Sequence, residues 1–149
     1  MRAVLQRCGQ SSVKVGEETV GAISKGWFIL LGVGEEDAQS DVDYLVKKIV
    51  ALRAFSDAND KMNLDIKEYG GDILVVSQFT LYGDCSKGRR PSFQGAALPE
   101  KAIALYQAFI EGLKQQGIQV AEGRFAAKMD IYVHGDGPVT LILESKTPK

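Results

Sequence analysis

Histidine is nearly absent from this sequence: among its 149 residues there is one, His134. Any hydroxyl–imidazole pair must use that side chain, and no second histidine stands at the spacing a zinc site needs. Cysteine is almost as scarce. Cys8 and Cys85 are too few for the disulfide framework of a small secreted scaffold. They cannot make a metal site alone and read as reduced, structural residues. No apolar run approaches the ~20 residues of a membrane-spanning helix. Residues 1–15 alternate polar and apolar side chains and lack a signal-peptide core, so the chain is expected in the cytoplasm. A surplus of one charge is also missing: 18 basic residues face 19 acidic ones, with a pI near 5.9. That argues against strong non-specific nucleic-acid binding and leaves room for a local patch, such as Lys87, Arg89 and Arg90. There is no Walker-type phosphate loop, no GxSxG elbow, no internal repeat and no linker.

What is present fits one domain. Residues 2–8 and 11–15 read as strand, Gly16-Glu17-Glu18 as a turn, and Thr19 to Ile23 as a return strand. Trp27 to Val33 is a continuous apolar run between glycines, the pattern of a strand buried on both faces. Ser40 or Asp41 can cap a helix whose apolar face holds Val42, Leu45, Val46, Ile49 and Val50. Phe55 to Asn63 reads as a polar connection, Gly70-Gly71 as a break, and Asp72 to Phe79 as a second apolar strand. Residues 83–98 form a long loop of the kind that often carries function. Pro99 opens a second helix with a stripe of Ile103, Tyr106, Ile110 and Leu113, ended by Gly117. Strands follow near Val120, through Met129, Ile131 and Val133, and from Val139 to Leu143. Gly135-Asp136-Gly137-Pro138 reads as a tight turn between the last two. The fold class is α/β or α+β: a sheet-rich core with two helices packed on it.

Three segments could carry chemistry. Ser77-Gln78-Phe79-Thr80 ends a buried strand in polar residues, a common site position in open sheets. A strand terminus with local hydrogen bonds is the simpler account of that segment alone. Gly137-Pro138 joins a glycine that permits close backbone approach to a bond that is cis in only ~5–6% of X-Pro cases; a plain hairpin turn is the better account of that segment alone. Lys87 to Phe93 offers three cations for phosphates and an aromatic ring for stacking on a base, or a solvated loop with Phe93 tucked into the core.

Taken in order, these segments resemble the D-aminoacyl-tRNA deacylase family. The matching stretches are Gln6-Arg7, Phe55-Ser56-Asp57 with Lys61-Met62-Asn63, Ser77-Gln78-Phe79-Thr80-Leu81, and Arg90-Pro91-Ser92-Phe93. Gly123-Arg124-Phe125-Ala126-Ala127 with Met129, then Gly137-Pro138-Val139-Thr140, complete the set. Each is weak alone; the ordered set spans almost the whole chain. One position departs: Gly135 stands where the family's last motif usually begins with asparagine.

The resemblance implies a barrel-like, mostly antiparallel or mixed sheet with two main helices, assembled as a homodimer with its active site at the subunit interface. It implies an esterase that removes D-amino acids, and achiral glycine, from the 3′ acceptor end of tRNA. Gly137-Pro138 would be cis and would reach into the partner's pocket, its carbonyls excluding L-amino acids by steric clash. Arg7 would hold that gate, and Phe125 and Met129 would help to bind substrate. Ser77, Gln78, Phe79 and Thr80 would form the catalytic segment. Thr80 would position groups rather than attack, since the chemistry resembles one assisted by the RNA's own 2′-hydroxyl. Lys87, Arg89, Arg90 and Phe93 would contact tRNA. No metal, cofactor, membrane or DNA is implied. Competing expectations are an editing module for a near-cognate L-amino acid, a non-enzymatic nucleic-acid-binding protein and a structural oligomer subunit.

Overall fold

The computed structural model describes residues 1–146. Its elements run β1 (Arg2–Val15), β2 (Glu18–Ile23), β3 (Gly26–Gly32), α1 (Gln39–Ala51), β4 (Phe55–Ser56), β5 (Met62–Leu64), α2 (Ile66–Tyr69) and β6 (Asp72–Ser77). A 3-10 turn (Phe79–Tyr82), α3 (Pro99–Gln115), β7 (Val120–Glu122) and β8 (Asp130–Glu144) follow. None of the helices is long and apolar enough to cross a membrane.

β1 organises the sheet. Antiparallel to each partner, it takes β3 along Arg2–Cys8, β2 along Ser11–Val15, and β8 from Arg2 to Lys14. Parallel pairing then carries the sheet from β3 to β6 and on to β7. The ends of this path curl toward each other: a Cβ on Gly21 of β2 would stand 2.5 Å from the Glu122 carbonyl oxygen of β7. Only a residue without a side chain lets the two backbones pass so closely, and the mixed sheet comes near to closing as a barrel.

Both faces of the central strands are covered, which is why they read as unbroken apolar runs. Trp27, Ile29 and Leu31 of β3, with Ile73 and Val75 of β6, face the helices. Phe28, Leu74 and Val76 point the other way, toward Cys8, Val13 and Ile23 inside the barrel. α1 buries Val42, Leu45, Val46 and Ile49, as its spacing predicts. α3 buries Tyr106, Ile110 and Leu113 of the expected stripe, and adds Ala102 and Phe109.

Several local expectations are corrected. The first two strand segments are one continuous strand, because β8 supports β1 through the bulges between Gln6 and Ser11. α1 starts at Gln39 behind Ala38, so neither Ser40 nor Asp41 is the cap residue; Asp41 instead accepts the Ala38 N–H at 2.8 Å from inside the first turn. Phe55–Asn63 is not a simple connection. Phe55 is fully buried and paired through β4 with β5, and the short α2 follows with reciprocal capping by Asp65 and Glu68. β6 ends at Ser77, two residues early, because the chain coils into the 3-10 turn. Gly135–Pro138 is no hairpin turn; it lies within β8. There the ladder jumps from Gln6↔Thr140 to Cys8↔Gly135. The extra residues of β8 bulge out where proline cannot donate to a ladder.

Candidate active site

The site begins where β6 stops. The Gln78 N–H donates to the Leu31 carbonyl at 2.8 Å, and the chain then turns. Inside the turn, the Leu81 N–H meets the Gln78 carbonyl at 3.3 Å and the Gly83 N–H meets the Thr80 carbonyl at 2.9 Å. Among the described residues, no acceptor takes the N–H of Phe79 or Thr80. These are the first two amides of a helical turn, which have no partner within it. The Gln78 side-chain amide donates to the Thr80 hydroxyl. Of the three successive amides at Gln78, Phe79 and Thr80, the first is engaged by Leu31 and the other two meet no acceptor among the described residues.

A cleft of about 650 Å³ lies beside this turn. Ser77, Gln78, Phe79, Phe93, Phe125 and Met129 line it, together with small and aliphatic residues. Its walls are mainly apolar and aromatic, with the polar strand end at one side, a composition typical of small-molecule sites. Phe93 is neither free in solvent nor in the core: it is 37% exposed and meets Phe79 edge-on at 5.1 Å between ring centroids. Behind the cleft, Phe125 packs on Tyr106. The buried Tyr106 hydroxyl donates to the Val75 carbonyl at 3.2 Å, and burial pushes it well above the usual tyrosine range. It stays a neutral wall element.

The Gly137–Pro138 peptide is cis, and Gly137 has φ 126°, a backbone region suited to glycine. Arg7 ties this segment, at Asp136, to the chain at Ala54. Its Nε lies 3.1 Å from the Asp136 carboxylate and 3.3 Å from the Asp136 carbonyl, while Nη1 donates to the Ala54 carbonyl at 3.0 Å. Gly135 has room to spare: a Cβ there would meet nothing within 4 Å.

The basic loop is more ordered than its composition implies. Asp84 and Ser92 exchange backbone hydrogen bonds at 2.7 and 2.9 Å, closing residues 84–92 into a small hairpin. Lys87, Arg89 and Arg90 stand exposed at its tip.

The predicted residues thus form separate groups. Ser77, Gln78, Phe79, Phe93, Phe125 and Met129 share the cleft, with Thr80 exposed on the adjoining turn. Arg7, Gly137 and Pro138 sit elsewhere, on β1 and the bulge of β8, and are not part of the cleft wall. Lys87, Arg89 and Arg90 form the third group. His134 is exposed on β8, its ring lying where a Cβ on Gly9 would be. The described residues contain no group of three or more His, Cys, Asp or Glu able to hold a metal ion. Sequence reasoning missed Arg2 and Tyr82, which hold the far end of the 3-10 turn. A basic residue before a run of strand and a tyrosine in a loop give no signal of such pairing.

Comparison with known proteins places these features in context. A family model for D-Tyr-tRNA(Tyr) deacylase matches residues 4–144. The D-aminoacyl-tRNA deacylase of Desulfatibacillum aliphaticivorans is 58% identical over 146 residues, covering 98% of this chain and all of that protein. That of Clostridioides difficile (strain 630) is 55% identical over 145 residues, 97% of each chain. A solved structure titled c-Myc DNA Unwinding Element Binding Protein superposes with a TM-score of 0.92 at 38% identity, covering 99% of this chain and 100% of that one. A second, described as a probable eukaryotic D-amino acid tRNA deacylase, superposes with a TM-score of 0.84 at 18% identity, covering 96% and 98%, and shares the fold.

Proposed function

The chain belongs to the D-Tyr-tRNA(Tyr) deacylase family and is a D-aminoacyl-tRNA deacylase, a hydrolase; from that premise we propose how its site works. The 3-10 turn and cleft receive the 3′ aminoacyl end of tRNA, and a second copy of the chain supplies the Gly137–Pro138 gate. One observation carries this reading. In a single chain the gate and the cleft are apart, while β8, which carries the gate, is mostly exposed from Asp130 to Thr140. A long uncovered edge strand invites a partner, and a two-fold pairing gives each cleft the other subunit's gate.

The chemistry needs no triad. Water attacks the ester carbonyl, and the carbonyl oxygen takes up negative charge. The unpartnered N–H groups of Phe79 and Thr80 are placed to hold that charge, an interaction for which one donor is typically worth 10²–10³ in kcat. The tetrahedral species collapses, the ribose 3′-oxygen leaves with a proton, and free amino acid departs. The neighbouring ribose 2′-hydroxyl assists the proton transfers, and Thr80, held by the Gln78 side chain, orients groups without being acylated. The gate's carbonyls exclude any substituent on the L side of the α-carbon and admit D-amino acids and glycine. Cations at the hairpin tip contact acceptor-stem phosphates.

The test is deacylation of D-Tyr-tRNA and L-Tyr-tRNA side by side. Release of D-tyrosine with L-tyrosine untouched is expected. Release of both removes the gate and leaves a general editing esterase. Binding of DNA or uncharged tRNA with release of neither turns the reading toward a nucleic-acid-binding protein, as the name of the 38% identical c-Myc DNA Unwinding Element Binding Protein describes.

A further inference from the structure

We propose that Arg2 is a positioning residue for the reaction: it fixes the 3-10 turn so that the Phe79 and Thr80 amides face a constant point. The proposal rests on reading those two amides as the oxyanion donors. The Gly83 N–H closes the far end of the turn on the Thr80 carbonyl at 2.9 Å, but at its near end the first two N–H groups are unpartnered and the bond back to Gln78 is long, at 3.3 Å. The turn leans on Gly32 and Gly34, two residues without side chains at and just past the end of β3. A Cβ on Gly32 would stand 3.0 Å from Leu81 Cβ and 3.1 Å from the Gln78 carbonyl oxygen; one on Gly34 would stand 2.9 Å from the Tyr82 ring. Glycine lets the turn approach but holds nothing.

The holding groups come from outside. Arg2 Nη1 donates to the Leu81 carbonyl at 2.9 Å, one residue past Thr80. The same guanidinium stands over the Tyr82 ring, 4.7 Å from its centroid. Its Nε lies 2.9 Å from Glu144, the residue opposite Arg2 in the β1–β8 ladder. The Tyr82 hydroxyl reaches the buried Asp37 carboxylate at 3.4 Å. Arg2 therefore ties the end of the catalytic turn to β1 and β8 through a planar group that cannot rotate freely between its contacts. Its side chain is 39% exposed, so truncating it leaves no core cavity. The expected cost falls on geometry more than on folding, and displacements of about 1 Å at a reacting centre lower rates roughly 10²-fold.

The test uses the full-length protein and D-Tyr-tRNA. Arg2→Ala is expected to lower kcat about 10- to 100-fold, with KM and melting temperature nearly unchanged. Arg2→Lys, which keeps the charge over Tyr82 but loses the second donor direction, should recover part of that rate. Replacing Thr80 by its α-hydroxy acid, which removes one backbone N–H, serves as the reference and should itself cut kcat by about 10² or more. A slow ester variant beside an unaffected Arg2→Ala overturns the role of Arg2 and leaves the oxyanion reading standing. An unaffected ester variant overturns the oxyanion reading and this proposal with it. A loss in Arg2→Ala that tracks a fall in melting temperature, or a rise in KM alone, assigns Arg2 to folding or binding and also overturns it.

Discussion

At the scale of single residues, the two glycines of the β8 bulge obey different constraints. Gly137 needs its glycine: φ is 126° and a Cβ would stand 2.8 Å from the Val139 nitrogen. Gly135 does not, because its φ is not positive and the space around it is open. Its flexibility loosens the unfolded chain without serving the fold, so Gly135→Ala is expected to add about 0.4–1 kcal/mol. In a thermal melt that is a rise of roughly 1–4 °C for a chain of this size. Arg7 acts in the opposite sense. It joins the Asp136 carboxylate and carbonyl to the Ala54 carbonyl, and because Asp136 is half exposed its ion pair adds only about 0–1 kcal/mol. Arg7→Ala should free the gate and raise L-Tyr-tRNA hydrolysis roughly 10- to 100-fold, read against D-Tyr-tRNA in the same assay.

At the scale of elements, the start of α1 is stapled by charge. Met1's amine lies 2.7 Å from Asp37, and the Ser145 hydroxyl and Lys146 ammonium meet Asp41 at 2.6 and 3.5 Å. Burial pushes the Asp41 carboxyl up, but the Ser145 hydroxyl, the Ala38 amide and the two nearby cations outweigh it and hold the group below its ordinary value. A carboxylate depressed in the folded state contributes stability above its unfolded pKa of about 3.9, and that contribution is lost as pH falls through the lower folded value. Asp41→Asn should therefore cost about 1–3 kcal/mol at pH 7, and urea melts of parent and variant should converge as pH drops below about 4. The closed hairpin 84–92 gives a second element-scale test. Its cations stand exposed on a loop whose backbone is closed at Asp84 and Ser92, so neutralising Lys87, Arg89 or Arg90 should weaken tRNA binding. Each loss should flatten the plot of log affinity against log salt by about one unit of slope.

At the scale of the whole molecule, the sheet nearly closes on itself while β8 stays exposed along its outer portion. Aromatic and aliphatic side chains lie on that strand's surface, with Tyr132 at 55% and Ile142 at 70% exposure. If a second copy covers them and completes each site, activity per protomer must depend on protein concentration. Serial dilution below the dimer dissociation constant should lower the specific rate in parallel with a shift to monomer in sedimentation. A rate per protomer that stays constant through that shift would place the gate within one chain.

The sequence by itself determined the elements whose signal is local. The runs Trp27–Val33 and Asp72–Phe79 read as strands, the second two residues too long, and the 3.6-residue stripes of α1 and α3 marked the faces they bury. The ordered motifs also pointed to the family, which the match over residues 4–144 bears out. What tertiary structure decided was pairing between distant segments. Gly135–Pro138 has the composition of a turn, and only the ladder with β1 shows that it bulges from a continuous strand. Phe55 looked like part of a polar connection until β5 and the core enclosed it. The engagement of the Gln78 amide by Leu31, and Arg2's hold on Leu81, join residues 47 and 79 positions apart. Such contacts leave no periodicity in the chain, since each is made by one side chain or one amide whose partner is set by the packing of β3 against its neighbours.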